Sequence, residues 1–261
     1  MLVSLLIALI VSAVVTQIAV YATTIYLHRA ATHGAVVLHP AAAWVFRFFI
    51  WMTTGIVPRE WVAVHRKHHA HTDEEGDPHS PLLEGFWKVQ LGNFFYYVKE
   101  LKKPGTVDKY ARDMKPDFWD RWVFDYASVG LLAGVVLLCW TLGIGWGLFA
   151  AGLHAFMYVF VLSSSINGLC HYKGYRNFKN TATNIRIVAW LTGGEGLHNN
   201  HHGYPRSPKF SFRGARRLEF DPGWIIIRVL TAVRLARPLK TIEEALTVRP
   251  QLGTDWVAET E

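Results

Sequence analysis

The chain has 261 residues, 51% of them hydrophobic and 14% aromatic, with a formal net charge of +7. That length fits one sizeable domain and is short for two. The basic residues flank apolar runs instead of forming a basic domain with interleaved aromatics, so nucleic acid is not an expected partner. The only cysteines, Cys139 and Cys170, lie in apolar stretches, which excludes a thiolate metal site or a disulfide framework and leaves nitrogen as the available metal ligand.

In chain order, Met1 to Leu27 contains no Lys, Arg, Asp or Glu and exceeds the roughly 20 residues a helix needs to cross a bilayer. It lacks the basic start and small-residue cleavage site of a secretory signal, so residues 2–27 are expected to stay as a first span. A second apolar stretch, 41–57, is short for a crossing and carries Arg47 near its middle, a costly residue at bilayer depth. A re-entrant or interfacial helix there keeps the histidines on either side of it on one membrane face; a true span would separate them. Turns follow at Asp77-Pro78 and Lys103-Pro104-Gly105. Two further spans are expected at 123–142 and 148–169, joined by a tight hairpin over Gly143-Ile144-Gly145-Trp146-Gly147.

Between Trp122 and Tyr172 there is no Lys or Arg, whereas Lys99 to Arg121 and Lys173 to Arg186 are rich in both. This asymmetry puts the N-terminus outside and the basic segments inside, on the cytoplasmic face of the cell membrane. Residues 173–261 form a cytosolic part, in which Asp221-Pro222-Gly223-Trp224 reads as a turn opening a short amphipathic helix. The run Arg213-Gly214-Ala215-Arg216-Arg217 could face lipid phosphate, an acidic head group or a carrier protein. The expected fold is therefore all-α and a single domain over 1–261. It is an integral membrane helical bundle of about three spans, with an interfacial helix and a cytosolic helical cap.

Of thirteen histidines, nine fall in a pattern: His28 and His33; His65, His68 and His69; His171; and His198, His201 and His202. Imidazole is the commonest neutral metal ligand, and a solvated chain or packed core does not collect it this way. The H-x2-H-H spacing occurs twice and puts three imidazoles on one helical face. Side chains at i+3 and i+4 diverge slightly, so one helix can serve two neighbouring metals, and the repeat points to a dinuclear site. His28 and His33 are about 140° apart on an α-helix and can converge only at a helix end. Asn167, four residues before His171, is either a water-holding group beside a metal or an interhelical hydrogen-bonding residue. Of the others, His154 reads as a hydrogen-bonded packing residue, and His71 and His79, near Asp73 and Asp77, as supports instead of ligands. Zinc hydrolysis needs only three protein ligands. Eight or nine imidazoles with almost no carboxylate suit two redox metals that activate dioxygen.

These residues resemble the membrane fatty acyl desaturase family of the stearoyl-CoA desaturase type, in its bacterial branch. The similarity covers Thr24 to Arg206 and is carried by His28-Arg29-x-x-Thr32-His33, Glu60-Trp61 before His65-Arg66-Lys67-His68-His69-Ala70-His71, and Asp77-Pro78-His79. It continues in Asn167-Gly168-x-x-His171, in Gly174-Tyr175-Arg176 and, most specifically, in Gly194-Glu195-Gly196-Leu197-His198-Asn199-Asn200-His201-His202. The resemblance implies two irons. One would be held by His28, His33, His65, His69 and His201, the other by His68, His171, His198 and His202, with Asn167 holding a water. It implies an O2-dependent oxidoreductase that places a cis double bond, of Δ9 type, in an acyl chain linked to CoA, carrier protein or lipid. Trp61, Trp87, Tyr158 and Trp190 are candidates to line an acyl tunnel. The family usually has two spans before the first histidine pair, and this chain has room for one. Electrons are expected from a separate ferredoxin, cytochrome or flavoprotein donor. The rival readings are a di-iron hydroxylase of sterols, carotenoids or alkanes, and a histidine-rich metal transporter. A transporter would want polar residues inside the spans, and the first two offer almost none.

Overall fold

The computed structural model describes residues 1–212 and 218–248; the Arg213–Arg217 cluster lies outside them. Helix α1 (Leu2–Ala22) runs without a break into a π-helical segment, Thr23–Thr32, giving one 31-residue apolar helix. Its outer side exposes Leu6, Ile7, Ile10 and Val14, while Ala8, Ser12, Thr16 and Ala19 are buried. Small side chains let helices approach closely where lipid supplies no hydrophobic drive, and this stripe packs on α8 (Ile144–Phe156). Helix α8 continues through a π segment, Met157–Ser163, then α9 (Ser164–Asn167) and a 3₁₀ turn, Leu169–His171. Among the described residues, Leu2–Thr32 and Ile144–His171 are the helices long and apolar enough to cross a membrane.

The expected second span is shorter than its sequence suggests. Helix α7 (Ala127–Leu142) has 16 residues, about 24 Å at 1.5 Å each, against a hydrocarbon core of about 30 Å. A separate π turn, Asp120–Phe124, precedes it. The hairpin is also tighter than expected: Gly143 alone reverses the chain (φ 81°), and Ile144 to Gly147 already belong to α8. A Cβ on Gly147 would collide with the Cys139 backbone, so glycine sets how closely α7 and α8 approach.

Helix α2 (Pro40–Thr53) covers the stretch read as re-entrant. At Thr54–Val57 the chain bends by 91° into α3 (Pro58–Ala70), and that bend returns His65 to the same end of the bundle as His28. The buried Arg47 is neutralised by Asp117 at 2.7 and 2.8 Å and by Asp120 at 2.5 Å, with the Phe124 ring 4.6 Å from its guanidinium. A short α4 (Pro81–Glu84) leads into α5 (Phe86–Leu101), which packs against Met157–Ser163 and α9. Helix α6 (Thr106–Tyr110) rests on α3. The cap carries α10 (Arg186–Leu191), α11 (His198–Gly203), α12 (Pro222–Ala232) and α13 (Ile242–Val248). Asp221 caps α12, accepting from the Trp224 N–H at 3.0 Å, as its Asp-Pro-Gly start predicts. One departure from an all-helical chain is a two-stranded antiparallel ribbon, β1 (Val36–Leu38) with β2 (Ala236–Pro238). It ties the cap to the end of the first span.

Candidate metal centre

His28 and His33 converge for a reason the α-helical repeat did not supply. Residues 23–32 are π-helical, and the His33 N–H donates to the His28 carbonyl at 3.2 Å, an i→i+5 bond that closes a turn between them. Their rings lie 4.9 Å apart, centroid to centroid. Each H-x2-H-H helix then divides its histidines. His65 and His69 of α3 join His28, His33 and His201 in one group; His68 joins His171, His198 and His202 in another. Within each group the candidate ligand nitrogens lie within 4.8 Å of one another. Adjacent residues thus serve different groups, with ring centroids 5.5 Å apart for His68 and His69 and 5.4 Å for His201 and His202.

The donor set fits metal ions. His28 Nδ1 meets the Glu195 carboxylate at 2.7 and 2.6 Å, which requires the proton on Nδ1 and leaves Nε2 as a bare lone pair. That Nε2 faces His201 Nε2 at 3.0 Å. His201 Nε2 also faces His69 Nε2 at 3.0 Å, and His69 Nε2 faces His65 Nε2 at 3.2 Å. Shared protons cannot satisfy every such contact, whereas one cation can. In the second group, His68 Nδ1 donates to Asp77 at 3.0 Å and His171 Nδ1 to Asp73 at 2.8 Å. The inward Nε2 atoms of both rings are buried without a hydrogen-bond partner, as is His33 Nε2. Buried polar nitrogens are seldom left unpaired.

Burial, reinforced by neighbouring imidazoles, holds the His198, His201 and His202 side chains well below the usual histidine range, so they are neutral and able to ligate at pH 7. Burial is the largest influence on Asp77 and opposes its ionisation, but the hydrogen bond from His68, the His79 backbone N–H and the two neighbouring imidazoles together outweigh it and lower the carboxyl below its ordinary value. Asp73 behaves alike through His171, Ser80 and Thr181. It also sits at φ 58°, a left-handed conformation that Asp tolerates better than most residues. Outer carboxylates of this kind fix ring orientation and raise ligand basicity. The near absence of carboxylate expected from sequence is thus corrected: the acids stand behind the rings.

Sequence reasoning missed these supports. Asp77 does lie beside His79, accepting its backbone N–H at 3.0 Å, but Asp77 and Asp73 also orient His68 and His171. Glu195, three residues before His198, serves His28 and accepts a hydrogen bond from Thr24. His79 stacks on His68 at 4.6 Å, and burial drives its pKa down to about 3. His71 pairs with the Tyr110 hydroxyl at 3.0 Å. His154 bridges Thr16 and the Thr53 carbonyl at 3.0 and 2.8 Å, the packing role expected of it. Asn167 belongs to neither histidine group. The helix changes to a 3₁₀ turn at Gly168, which breaks the expected i, i+4 relation with His171, and Asn167 Nδ2 donates to Asn93 Oδ1 of α5 at 3.0 Å.

The cap is held by two buried polar knots. Arg29 donates to Asp221, Gly193 and Pro208 at 2.9 to 3.0 Å and stacks on Phe210 at 3.9 Å. Gly194 (φ 102°) lies so close that a Cβ would collide with Asp221. Behind α11, Asn200 bonds Asn177, Asn184, Glu219 and the Phe210 carbonyl at 2.7 to 2.9 Å.

A cavity of about 220 Å³ is lined by His28 and His65 of the five-histidine group together with Trp61, Tyr97, Ile56, Val20, Tyr158 and Leu162. A hydrogen bond of 2.6 Å between Thr23 and Tyr158 ties its two walls together. Trp61 and Tyr158 are therefore lining residues. Trp87 and Trp190, the other two aromatics considered, are 70% and 59% exposed and do not line it.

Comparison with known proteins decides the family. The fatty acid desaturase family model matches residues 3–221. The chain belongs to the fatty acid desaturase family. That makes it a member of a group of oxidoreductases of lipid metabolism that act on fatty acyl chains. The chain is 32% identical over 224 residues to an icosanoyl-CoA 5-desaturase of Limnanthes douglasii, covering 85% of this chain and 62% of that one. It is 31% identical to an acyl-CoA C20 Delta5-desaturase of Anemone leveillei, over 86% of this chain and 71% of the relative. It is also 31% identical to Delta-9 acyl-lipid desaturase 1 of Arabidopsis thaliana, over 91% and 77%. The desaturase thus spans less than two thirds of the Limnanthes relative's length. Its apolar helices mark it as a membrane protein, and its histidine groups could hold metal.

Proposed function

We propose that this desaturase removes two hydrogens from adjacent methylenes of a saturated acyl chain, leaving a cis double bond, with O2 as co-substrate and two irons as cofactor. His28, His33, His65, His69 and His201 would hold one iron. His68, His171, His198 and His202 would hold the other; Asn167, whose Nδ2 donates to Asn93, would keep its Oδ1 for a water beside them. Bound there, the irons supply the activation of dioxygen and the C–H chemistry. The protein's own part is to keep the His198, His201 and His202 imidazoles neutral by burial, to orient His28, His171 and His68 through Glu195, Asp73 and Asp77, and to hold an acyl chain against the centre. The observation that carries the reading is the mainly apolar cavity that His28 and His65 help to line. A metal transporter would need a continuous polar path, and here the polar lining of Thr23, Thr54, Glu60 and Asn93 is interrupted by Val20, Ile56, Tyr158 and Leu162.

The double bond is proposed at Δ9, following the name of the Arabidopsis relative; those of the Limnanthes and Anemone relatives specify position 5, so product mapping separates the two. The histidine end is proposed to face the cytoplasm of the cell membrane, on the side of the basic loops. There a separate ferredoxin, cytochrome or flavoprotein would deliver electrons. Lipid analysis of cells expressing the protein, with and without His201→Ala, tests the reading. New monounsaturated chains that vanish in the variant support it. Hydroxylated chains, or metal uptake without new lipids, would overturn it.

A further inference from the structure

Helix α5 carries an apolar face that no other described element covers. Trp87, Leu91, Phe94 and Phe95 are 70%, 61%, 45% and 64% exposed, and at 100° per residue they fall within about a 100° arc. Leu82 and Leu83 of α4, also exposed, extend this strip. Lys88 and Lys99 fall along one edge of the arc, and Lys102 and Lys103 follow the helix. Aromatic and aliphatic residues beside a basic edge are the pattern of a helix lying in the bilayer surface. Its position agrees, because α5 packs on Met157–Ser163 and α9, the histidine-side end of a helix long enough to span. Phe160 of that segment is itself exposed, so the two apolar surfaces are continuous.

The opposite face of α5 walls the cavity through Asn93 and Tyr97. Phe94 lies between the two sectors: it lines the cavity and is exposed on the lipid-facing side. At the other side of the cavity wall, Val57 and Glu60 are shared with a hollow of about 500 Å³. That hollow carries the carboxylates of Glu60, Asp113, Asp117, Asp120 and Asp125 against Arg47, Arg59 and Lys115, and Arg47 is already paired with two of the acids. Arg59 is paired with Asp108, and Asp113 with Arg66, so the hollow offers a polyanionic head group no cluster of unpaired cations.

We propose that Phe94 is a lateral gate, through which the acyl chain of a bilayer glycerophospholipid passes between α5 and the Met157–Asn167 segment into the cavity. This rests on the desaturase reading and adds to it the source of the chain. The test uses the full-length protein in phosphatidylcholine nanodiscs doped with phosphatidylcholine bearing a mid-chain diazirine, photolysed and mapped by mass spectrometry. Labelling needs neither turnover nor electrons, so its failure is distinguishable from a failure to make double bonds. Adducts are expected on Phe94 and on inner residues such as Tyr97 and Leu162. Phe94→Trp, whose larger ring blocks the opening, should lose the inner adducts while keeping those on Leu91 and Phe95; Phe94→Ala should gain inner adducts. Three results would overturn the proposal. They are adducts confined to the outer face in the unsubstituted protein, inner labelling obtained only from diazirine palmitoyl-CoA added in water, and inner labelling unchanged in Phe94→Trp.

Discussion

Glu195→Gln isolates one support of the metal centre. The Glu195 carboxylate is buried, takes the His28 Nδ1 proton at 2.6 to 2.7 Å and accepts from Thr24. An amide keeps the shape but loses the charge, and a charge-assisted hydrogen bond is roughly twice as strong as a neutral one. The amide can also turn its NH2 towards His28, moving the ring proton to Nε2 and spoiling that nitrogen as a ligand. Loss of such an outer partner typically lowers metal affinity about 10–100-fold, or roughly 1.4–2.7 kcal/mol. The effect should be confined to the five-histidine group, because His68 and His171 keep Asp77 and Asp73. Metal retained per chain is measured by elemental analysis after equilibration with graded chelator. The variant should release its first metal at about 10–100-fold lower chelator activity and its second unchanged. An unaltered release curve, or both metals leaving together, would refute the reasoning.

Arg47→Met should lower stability by about 1–2 kcal/mol, less than the 3–5 of a fully buried broken pair because the Asp117 side chain is 50% exposed; thermal unfolding in detergent reads it. The Arg47 guanidinium holds Asp117 down at about 2 from an ordinary 3.8. The contribution is therefore fully present above the unfolded value and is lost as pH falls through the folded one. The unfolding midpoint should drop across that window in the unsubstituted protein and more shallowly in Arg47→Met. Tyr158→Ala removes a bulky side chain that lines the cavity and is bonded to Thr23. The product profile in expressing cells should shift to longer acyl chains; an unchanged chain-length distribution would show that the cavity ends elsewhere.

Much of the centre was legible because it is local. The H-x2-H-H spacing shares a helix face between two groups whatever the rest of the chain does, and both α3 and α11 do so. That His28 and His65 lie together, their ring centroids 4.6 Å apart across the 91° bend after α2, followed from the need to keep the histidine groups on one side. What local patterns could not supply was long-range pairing. Glu195 and His28 are 167 residues apart, as are Asp73 and His171 by 98, and neither pair leaves a periodic trace. The π-helical winding at residues 23–32 was hidden too. Its sequence, Thr23 to Thr32, carries no signal that separates π from α winding, and its effect appears only when His28 and His33 meet on one side. Helix α7 ended short because Asp120–Phe124 winds separately to bring Asp117 and Asp120 onto Arg47.

Two separate metal positions, each served by its own histidines, are the heart of this account. Elemental analysis of detergent-purified protein beside His201→Ala and His198→Ala, each shown by protease protection to insert normally, addresses them directly. About two irons per chain are expected, falling to about one in each variant, the His201 change sparing the four-histidine position and the His198 change the five-histidine position. Purified protein that binds no iron, or either variant still holding two, would contradict it.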